Sequence, residues 1–117
     1  MKKKQFSIRS EDFFEQVYNI VRKIPFGRVT TYSAIATYLA AKQSARLVGT
    51  ALHHSSYIFP PIPAHRVVNS HGVLSGKLSF TTPTLMAELL TKEGINIIND
   101  KVMNFQKIFW NPESLDN

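Results

Sequence analysis

Residues 62–70, which read Ile62-Pro63-Ala64-His65-Arg66-Val67-Val68-Asn69-Ser70, carry the strongest indication of fold and function in this chain. His71-Gly72 and then Ser75-Gly76 follow them. Histidine commonly activates a neighbouring nucleophile, but Ala64 offers only a methyl group. The stretch therefore has the residue types of an active-site loop without the reactive one.

Three further blocks lie in order around this stretch: Ile24-Pro25-Phe26-Gly27-Arg28-Val29-Thr30-Thr31-Tyr32, then Ala45-Arg46-Leu47-Val48-Gly49, and, after the motif, Leu89-Leu90-Thr91-Lys92-Glu93-Gly94. Together the four blocks resemble the O6-alkylguanine-DNA alkyltransferases from about Phe14 to Ile95. In that family a cysteine between the proline and the histidine takes the alkyl group from damaged guanine, because a thiolate is the nucleophile. Ala64 occupies the cysteine position.

With alanine at this position, the chain resembles the alkyltransferase-like proteins, a subgroup that binds alkylated DNA without repairing it. The resemblance implies a mainly α fold with a small β element, carrying a helix-turn-helix (winged-helix-like) unit that docks in the minor groove. It implies duplex DNA with O6-alkylguanine as the ligand, nucleotide flipping, no enzymatic activity, and hand-off to the damage-recognition proteins of nucleotide excision repair.

Length and composition predict one domain over residues 1–117, with the basic segment 1–9 and the tail 111–117 as candidates for disorder. The additional N-terminal domain of the alkyltransferases is not expected. The chain has no cysteine, no signal-peptide core, no phosphate-binding glycine loop and no metal-ligand spacing. We therefore expect a monomeric cytoplasmic protein, nucleoid-associated if bacterial, without membrane contact, cofactor or metal.

Positive charge is concentrated in the middle of the chain. The net charge is +6, yet residues 16–87 contain no carboxylate, while all 4 histidines lie there. The basic residues of this block are Arg22, Lys23, Arg28, Lys42, Arg46, Arg66 and Lys77. Such a block attracts phosphates and is typical of a nucleic-acid-binding surface, although an ordinary basic surface has the same composition.

Apolar periodicity predicts three helices before the motif. The first begins at a Ser10 cap, has Arg22 and Lys23 in its last turn and ends before Pro25 and Gly27. The second runs from Tyr32 to about Ala41 with Thr31 as cap, and the third from Ala45 to about His54 with Ser44 as cap. The polar turn Lys42-Gln43 between them fits a helix-turn-helix. The expected buried positions are Phe13, Val17, Ile20, Val21, Ile24, Ile35, Ala36, Leu39, Leu47, Val48, Ala51 and Leu52.

Prolines and turn residues organise the second half. Residues 55–63 are expected to be extended and stiff because Pro60, Pro61 and Pro63 restrict them. Residues 66–68 and 73–74 are predicted as strands around the turn 69–72. Thr82 is the predicted cap of a fourth helix that buries Leu85, Leu89 and Leu90, and residues 95–110 are expected to form a hairpin around 99–101.

The resemblance also assigns roles to individual residues. Tyr32 would rotate the 3′ phosphate, and Arg46 would fill the vacated stack and pair with the orphaned base. The structural alternatives are a half-buried tyrosine and a solvated arginine, the latter disfavoured because a cation at a helix start opposes the dipole. Small or hydroxyl-bearing residues would approach the DNA backbone: Ser33, Ser44, Ala45, Gly49 and Ser70.

The lesion pocket would be built from Pro63, Ala64, His65, Val67 and Ser75, with Lys77 where relatives have an arginine facing the base. Lys77 could equally be a surface lysine. His65 and Glu93 match the remaining members of the family's triad and would keep a structural role. Ser55 stands near the position of an asparagine that braces the active-site loop in the alkyltransferases.

Two other functions remain open on sequence. One is a true alkyltransferase C-terminal domain whose cysteine was changed to Ala64. The other is a winged-helix regulator that reads sequence in the major groove, which would require large polar side chains along the third helix.

Overall fold

The computed structural model describes residues 10–39 and 45–116, and this part of the chain is mainly helical with two small sheets. The predicted fold class is confirmed. The helices are α1 (Ser10–Val21), α2 (Tyr32–Tyr38), α3 (Ala45–His53), α4 (Leu85–Lys92) and α5 (Phe105–Ile108). The strands are β1 (Thr30–Thr31), β2 (Val67–Val68), β3 (Ile97–Ile98) and β4 (Lys101–Val102), and 3-10 turns cover Ser55–Tyr57, Ala64–Arg66, Lys77–Ser79 and Pro112–Asp116.

Helix α1 buries the predicted apolar stripe, and the Tyr18 hydroxyl donates to the Ala51 carbonyl of α3 at 2.8 Å. The helix ends at Val21, so the prediction that Arg22 and Lys23 occupy its last turn was wrong. The cause is a tightening of the backbone, since the Lys23 amide donates to the Ile20 carbonyl three residues earlier.

Helix α2 begins at its predicted cap. The Thr31 hydroxyl accepts from the Ala34 amide at 3.0 Å and satisfies one of the free donors of the first turn. Helix α2 packs against α3, as a helix-turn-helix requires. The predicted Ser44 cap, the turn Lys42-Gln43 and the expected last residues of α2 lie outside the described residues.

Strand β2 joins the two halves of the core. It pairs in parallel with β1, Thr30 opposite Val67 and Thr31 opposite Val68. Successive side chains of a strand point to opposite faces, and accordingly Val67 packs with α1, α2 and α3, whereas Val68 packs with α4 and the C-terminal hairpin. The residues just before β2 are therefore fixed between both halves.

The predicted strand pairing around residues 69–72 was wrong in part. Arg66 belongs to the 3-10 turn Ala64–Arg66, and β2 pairs with β1 instead of with residues 73–74. The turn itself is present, because the Asn69 carboxamide oxygen accepts from the amides of His71 and Val73, each at 2.9 Å. Gly72 has φ +81, a conformation that favours glycine.

The prediction that residues 55–63 are extended was wrong for the first part of this segment. Ser55–Tyr57 form a 3-10 turn, and the buried Ser55 hydroxyl donates to the Leu52 carbonyl at 2.7 Å. The turn continues the end of α3, and its serine supplies the local hydrogen bond that makes this possible.

Helix α4 begins later than predicted, and of its three predicted buried leucines only Leu90 is fully buried. Its cap is Thr84, not Thr82, and the residues with almost no exposure are Met86 and Leu90, while Leu85 and Leu89 are only partly buried. The spacing of apolar residues alone does not decide which of two neighbouring faces of α4 is buried. Gly94 follows the helix end with φ +87, a conformation that favours glycine after a helix.

The predicted C-terminal hairpin is confirmed in part, because Phe105–Ile108, which the prediction had included in it, form helix α5. Strands β3 and β4 are antiparallel, and the two residues between them, Asn99 and Asp100, have φ values of 53 and 59, which suits a two-residue turn. In the tail offered as a candidate for disorder, Pro112–Asp116 form a 3-10 segment, and the Tyr38 hydroxyl donates to Asp116 at 2.9 Å.

The facing of α4 predicts a clear difference between two leucine-to-alanine substitutions. Leu90→Ala should lower the free energy of unfolding by about 2–5 kcal/mol, because it removes fully buried methyl groups and leaves a cavity. Leu85→Ala should cost clearly less, and urea unfolding monitored by circular dichroism measures both. Equal losses would contradict the observed facing of the helix.

Candidate functional site

The carboxylate of Glu93 ties together three separate parts of the chain. Its Oε2 lies 2.7 Å from His65 Nε2, and Arg66 Nε donates to both carboxylate oxygens at 3.0 Å. The Gly27 amide donates to Oε1 at 2.7 Å, and Arg66 Nη1 donates to the Ile24 carbonyl at 2.8 Å. The motif is thus fixed to the end of α4 and to the residues that follow α1.

Glu93 is ionised at neutral pH. Burial alone would raise the pKa of this carboxyl, but the hydrogen bonds from Arg66, the Gly27 amide and His65, together with the Arg66 charge, outweigh burial and lower it. An ionised carboxylate only accepts hydrogen bonds, so His65 Nε2 carries the hydrogen. The histidine is therefore held in one orientation although no nucleophile adjoins it in the chain.

Ala64 lines a small cavity between α2, α3 and α4. The cavity volume is about 40 Å³, enough for a few water molecules at most, since one needs roughly 10–15 Å³. Its walls are Tyr32, Gly49, Leu52, His53, Ala64, Val67, Gly76, Ser79, Phe80 and Met86. The predicted residues Tyr32, Gly49, Ala64 and Val67 are thus brought together, and the alanine methyl faces this space.

Tyr32 extends into the cavity. Burial raises the pKa of its phenol, and a hydrogen bond with Ser75 lowers it only in part. A Cβ atom on Gly76 would lie 2.7 Å from the Tyr32 hydroxyl oxygen, whereas one on Gly49 would lie 3.9 Å from the ring. Gly76 is therefore required for this position of the tyrosine, whereas a Cβ atom on Gly49 would make only an ordinary contact with the ring.

The other predicted pocket residues do not line the cavity. Pro63 and His65 are the chain neighbours of Ala64. Ser75 is connected to the cavity by its hydrogen bond with Tyr32. Lys77 pairs with Asp100 at 2.5 Å on the turn of the C-terminal hairpin. The Asp100 carboxylate therefore orients the Lys77 side chain. Lys77 could contact a bound base only after this ion pair breaks.

One face of α3 leads from solvent to the cavity. Arg46 is exposed at the second position of the helix, and Gly49 and His53, three and seven residues later, line the cavity. Residues with this spacing share a helix face. His53 was not predicted as a site residue, but its phase relative to Arg46 and Gly49 could have indicated it; Phe80 and Met86 gave no comparable signal.

The residues predicted to approach the DNA backbone lie at three places. Ser33 is exposed on the first turn of α2, with its hydroxyl 3.3 Å from that of Thr31. Ala45 begins α3 and is half-buried, and Ser70 is exposed in the turn after β2. Ser44 lies outside the described residues. The two exposed serines are available to donate to phosphate oxygens.

Comparison with known proteins identifies the family. The family described as 6-O-methylguanine DNA methyltransferase, DNA binding domain, matches residues 12–95. The chain belongs to this family. Within it, the chain is similar to Alkyltransferase-like protein 1 of Schizosaccharomyces pombe, with 32% identity over 111 residues that cover 90% of this chain and 100% of that protein. It is also 33% identical over 105 residues to the DNA base-flipping protein of Escherichia coli, covering 88% of this chain and 78% of that protein.

The fold is similar to that of a protein whose structure was solved in complex with DNA. The crystal structure of S. pombe Atl1 in complex with damaged DNA containing O6-carboxymethylguanine matches with a TM-score of 0.77 and 32% identity. The match covers 88% of this chain and 98% of that one. The chain is an alkyltransferase-like member of the family, with Ala64 at the position that the sequence resemblance gives to the nucleophile.

Replacing the Glu93 carboxylate should destabilise the protein and change its acid sensitivity. Glu93→Gln should lower the free energy of unfolding by about 2–3 kcal/mol at pH 7, because hydrogen bonds to a charged group are lost. The folded-state pKa is depressed, so the wild-type contribution is full above the ordinary value of 4.5 and is lost as pH falls below it.

Urea unfolding of the wild type, Glu93→Gln and the exposed control Glu113→Gln at pH 7 and pH 3.5 measures this contribution. The difference between wild type and Glu93→Gln should shrink at the lower pH, and Glu113→Gln should behave as wild type. A difference that is the same at both pH values would contradict the assigned charge state.

Proposed function

We propose that this protein is a non-enzymatic sensor of DNA damage that binds O6-alkylguanine as a flipped nucleotide. The observation that carries the proposal is Ala64. Its methyl group faces the cavity, while His65 and Glu93, the neighbours that would support a nucleophile, are hydrogen-bonded at 2.7 Å. The support for a reaction is retained, and the atom that would react is absent.

The described cavity wall offers no effective substitute for a thiolate. The Tyr32 phenol would react as phenolate, but burial raises its pKa and disfavours that form. The Ser79 hydroxyl pairs with His53 at 2.7 Å, but among the described residues no carboxylate contacts this histidine. Binding without alkyl transfer is the outcome that these groups favour.

Docking on DNA is proposed to use α2 and α3 in the minor groove. Exposed Arg46 stands at the solvent end of the α3 face that leads to the cavity, and no carboxylate occurs from residue 16 to residue 87. A planar guanidinium fills a gap in a base stack and pairs with an orphaned base better than an ammonium does. We assign this role to Arg46 and phosphate rotation to Tyr32, in a monomer acting in the cytoplasm.

The major-groove regulator is disfavoured by α3 itself. The exposed polar side chains of this helix are Arg46, Thr50 and His53. Thr50 donates to the Arg46 carbonyl at 3.2 Å, and His53 is held by Ser79. Arg46 alone gives too little polar surface to read a base sequence. The other alternative, an alkyltransferase domain whose cysteine was changed to Ala64, predicts the same binding of the lesion and the same release of the DNA.

The first functional prediction concerns the absence of chemistry. The protein should bind duplex DNA containing O6-methylguanine more tightly than unmodified duplex, and its mass should stay unchanged after incubation with that DNA. Fluorescence anisotropy and intact-protein mass spectrometry measure the two properties. A stable gain of one methyl group, on Ser79 or on any other residue, would refute the sensor function.

The second functional prediction concerns flipping. Arg46→Ala should weaken binding of the lesion duplex by about 1–3 kcal/mol, because a charged contact and the group that fills the stack are both lost. Lys92→Ala, which removes an exposed cation at the end of α4, is the matched control and should lose much less.

A fluorescent base analogue beside the lesion should brighten on binding, because flipping unstacks its neighbour. This signal should be lost in Arg46→Ala and in Tyr32→Ala. Full brightening in both variants would mean that other residues rotate the nucleotide.

We further propose that the complex is handed to nucleotide excision repair. A protein without a chemical step leaves its lesion unrepaired, so the complex ends by dissociation or by transfer to another protein. A flipped base and a bent duplex enlarge the distortion that a small alkyl group makes. The expected partner is a damage-recognition protein of that pathway, the damage-recognition ATPase if the source is bacterial, bound away from Arg46.

A genetic test follows from this hand-off. Deleting the gene should sensitise cells to an alkylating agent, and the same deletion should add no sensitivity in a strain that lacks excision repair. Survival curves of the two single mutants and the double mutant measure this. Clearly additive sensitivity in the double mutant would place the protein in another pathway.

A further inference from the structure

The cavity at Ala64 is closed on one side by residues 75–79, here named the lid. Side chains of three residues outside the lid, Tyr32, His53 and Asp100, hold it against the helices and the hairpin. The Tyr32 hydroxyl lies against Gly76, Lys77 pairs with Asp100, and His53 Nδ1 lies 2.7 Å from the Ser79 hydroxyl. The closed cavity of about 40 Å³ is far smaller than the roughly 300 Å³ or more of typical ligand sites. A purine base does not fit beside Ala64 while the lid is in this position.

The lid has the internal bonds of a unit that moves as one piece. The Ser79 amide donates to the Gly76 carbonyl at 3.0 Å, and the Phe80 amide donates to the Lys77 carbonyl at 3.3 Å. Before the lid, Leu74 is fully buried, whereas residues 81–84 after it are exposed and lead to buried Met86. Firm attachment on one side and an exposed connection on the other allow a hinged motion of the lid.

We propose that the His53–Ser79 hydrogen bond keeps the lid closed in the free protein and sets how readily a flipped base enters the cavity. The proposal rests on the proposed function. His53 comes from the α3 face that begins at Arg46, so the bond joins the DNA-docking helix to the lid. The ion pair of Lys77 with Asp100, whose side chains are 36% and 43% exposed, joins the lid to the C-terminal hairpin instead of to α3. The His53–Ser79 bond is exposed, and both of its residues line the cavity.

Because the lid is closed in the free protein, opening it costs part of the free energy of binding. When only the open fraction of a protein binds, the apparent dissociation constant increases by the inverse of that fraction. Removing one hydrogen bond of this kind should increase the open fraction roughly three- to tenfold. Ser79→Ala should therefore bind the lesion duplex more tightly than the wild type, in contrast to the usual effect of losing a contact.

The test combines hydrogen exchange on the free protein with binding of an O6-methylguanine duplex. In Ser79→Ala, the amide of Lys77, which donates to the Leu74 carbonyl outside the lid at 3.3 Å, should exchange roughly three- to tenfold faster, and the dissociation constant should fall by a similar factor. Ser79→Thr keeps a hydroxyl and should restore both values. Thr81→Ala removes an exposed hydroxyl just outside the lid and should change neither.

The outcomes separate this inference from the proposed function. Exchange in Ser79→Ala that equals that of Thr81→Ala would overturn the role of the bond in closing the lid. Faster exchange with unchanged affinity would overturn its role in admitting the base. Faster exchange in a protein that, with or without the substitution, shows no preference for the lesion duplex would support the closed lid and reject the proposed function.

Discussion

The shared carboxylate of Glu93 is the interaction on which the site depends. It accepts hydrogen bonds from the motif through His65 and Arg66 and from the residues after α1 through the Gly27 amide. These donors come from separate parts of the chain, and Glu93 itself follows α4. Because His65 and Glu93 side chains are only 13% and 6% exposed, a missing partner would leave a poorly hydrated polar group. The segment that presents Ala64 is thus fixed by hydrogen bonds to a single carboxylate.

Under the proposed function, a site fixed in this way would bind a base by shape, without a nucleophile at Ala64. The alanine methyl leaves room where a larger side chain would stand, and the surrounding side chains are mostly apolar. Of the polar groups at the cavity, Tyr32 hydrogen-bonds to Ser75 and His53 to Ser79, and among the described residues no carboxylate contacts His53. Under the proposed function, opening these bonds and flipping a base both require free energy, so a lesion would be favoured where alkylation has already weakened base pairing.

The sequence predicted the fold class, the α2 cap at Thr31, the C-terminal hairpin and the association of His65 with Glu93. These depend on local signals or on the ordered motif blocks. It did not predict that β2 pairs with β1, because a two-residue strand has too short a pattern to choose a partner. It chose Leu85 and Leu89 over Met86 because neighbouring faces of α4 are similarly apolar. The contacts of Lys77 with Asp100 and of His53 with Ser79 join distant segments, and only the tertiary structure brings them together.

A crystal structure of the protein bound to duplex DNA containing O6-methylguanine tests the central claim most directly. The account predicts the alkylated base outside the stack and in the cavity beside the Ala64 methyl, the Arg46 guanidinium in the vacated space, the lid displaced, and the methyl group still on the guanine oxygen. A duplex in which the alkylguanine stays stacked and paired while the protein is bound would contradict the account.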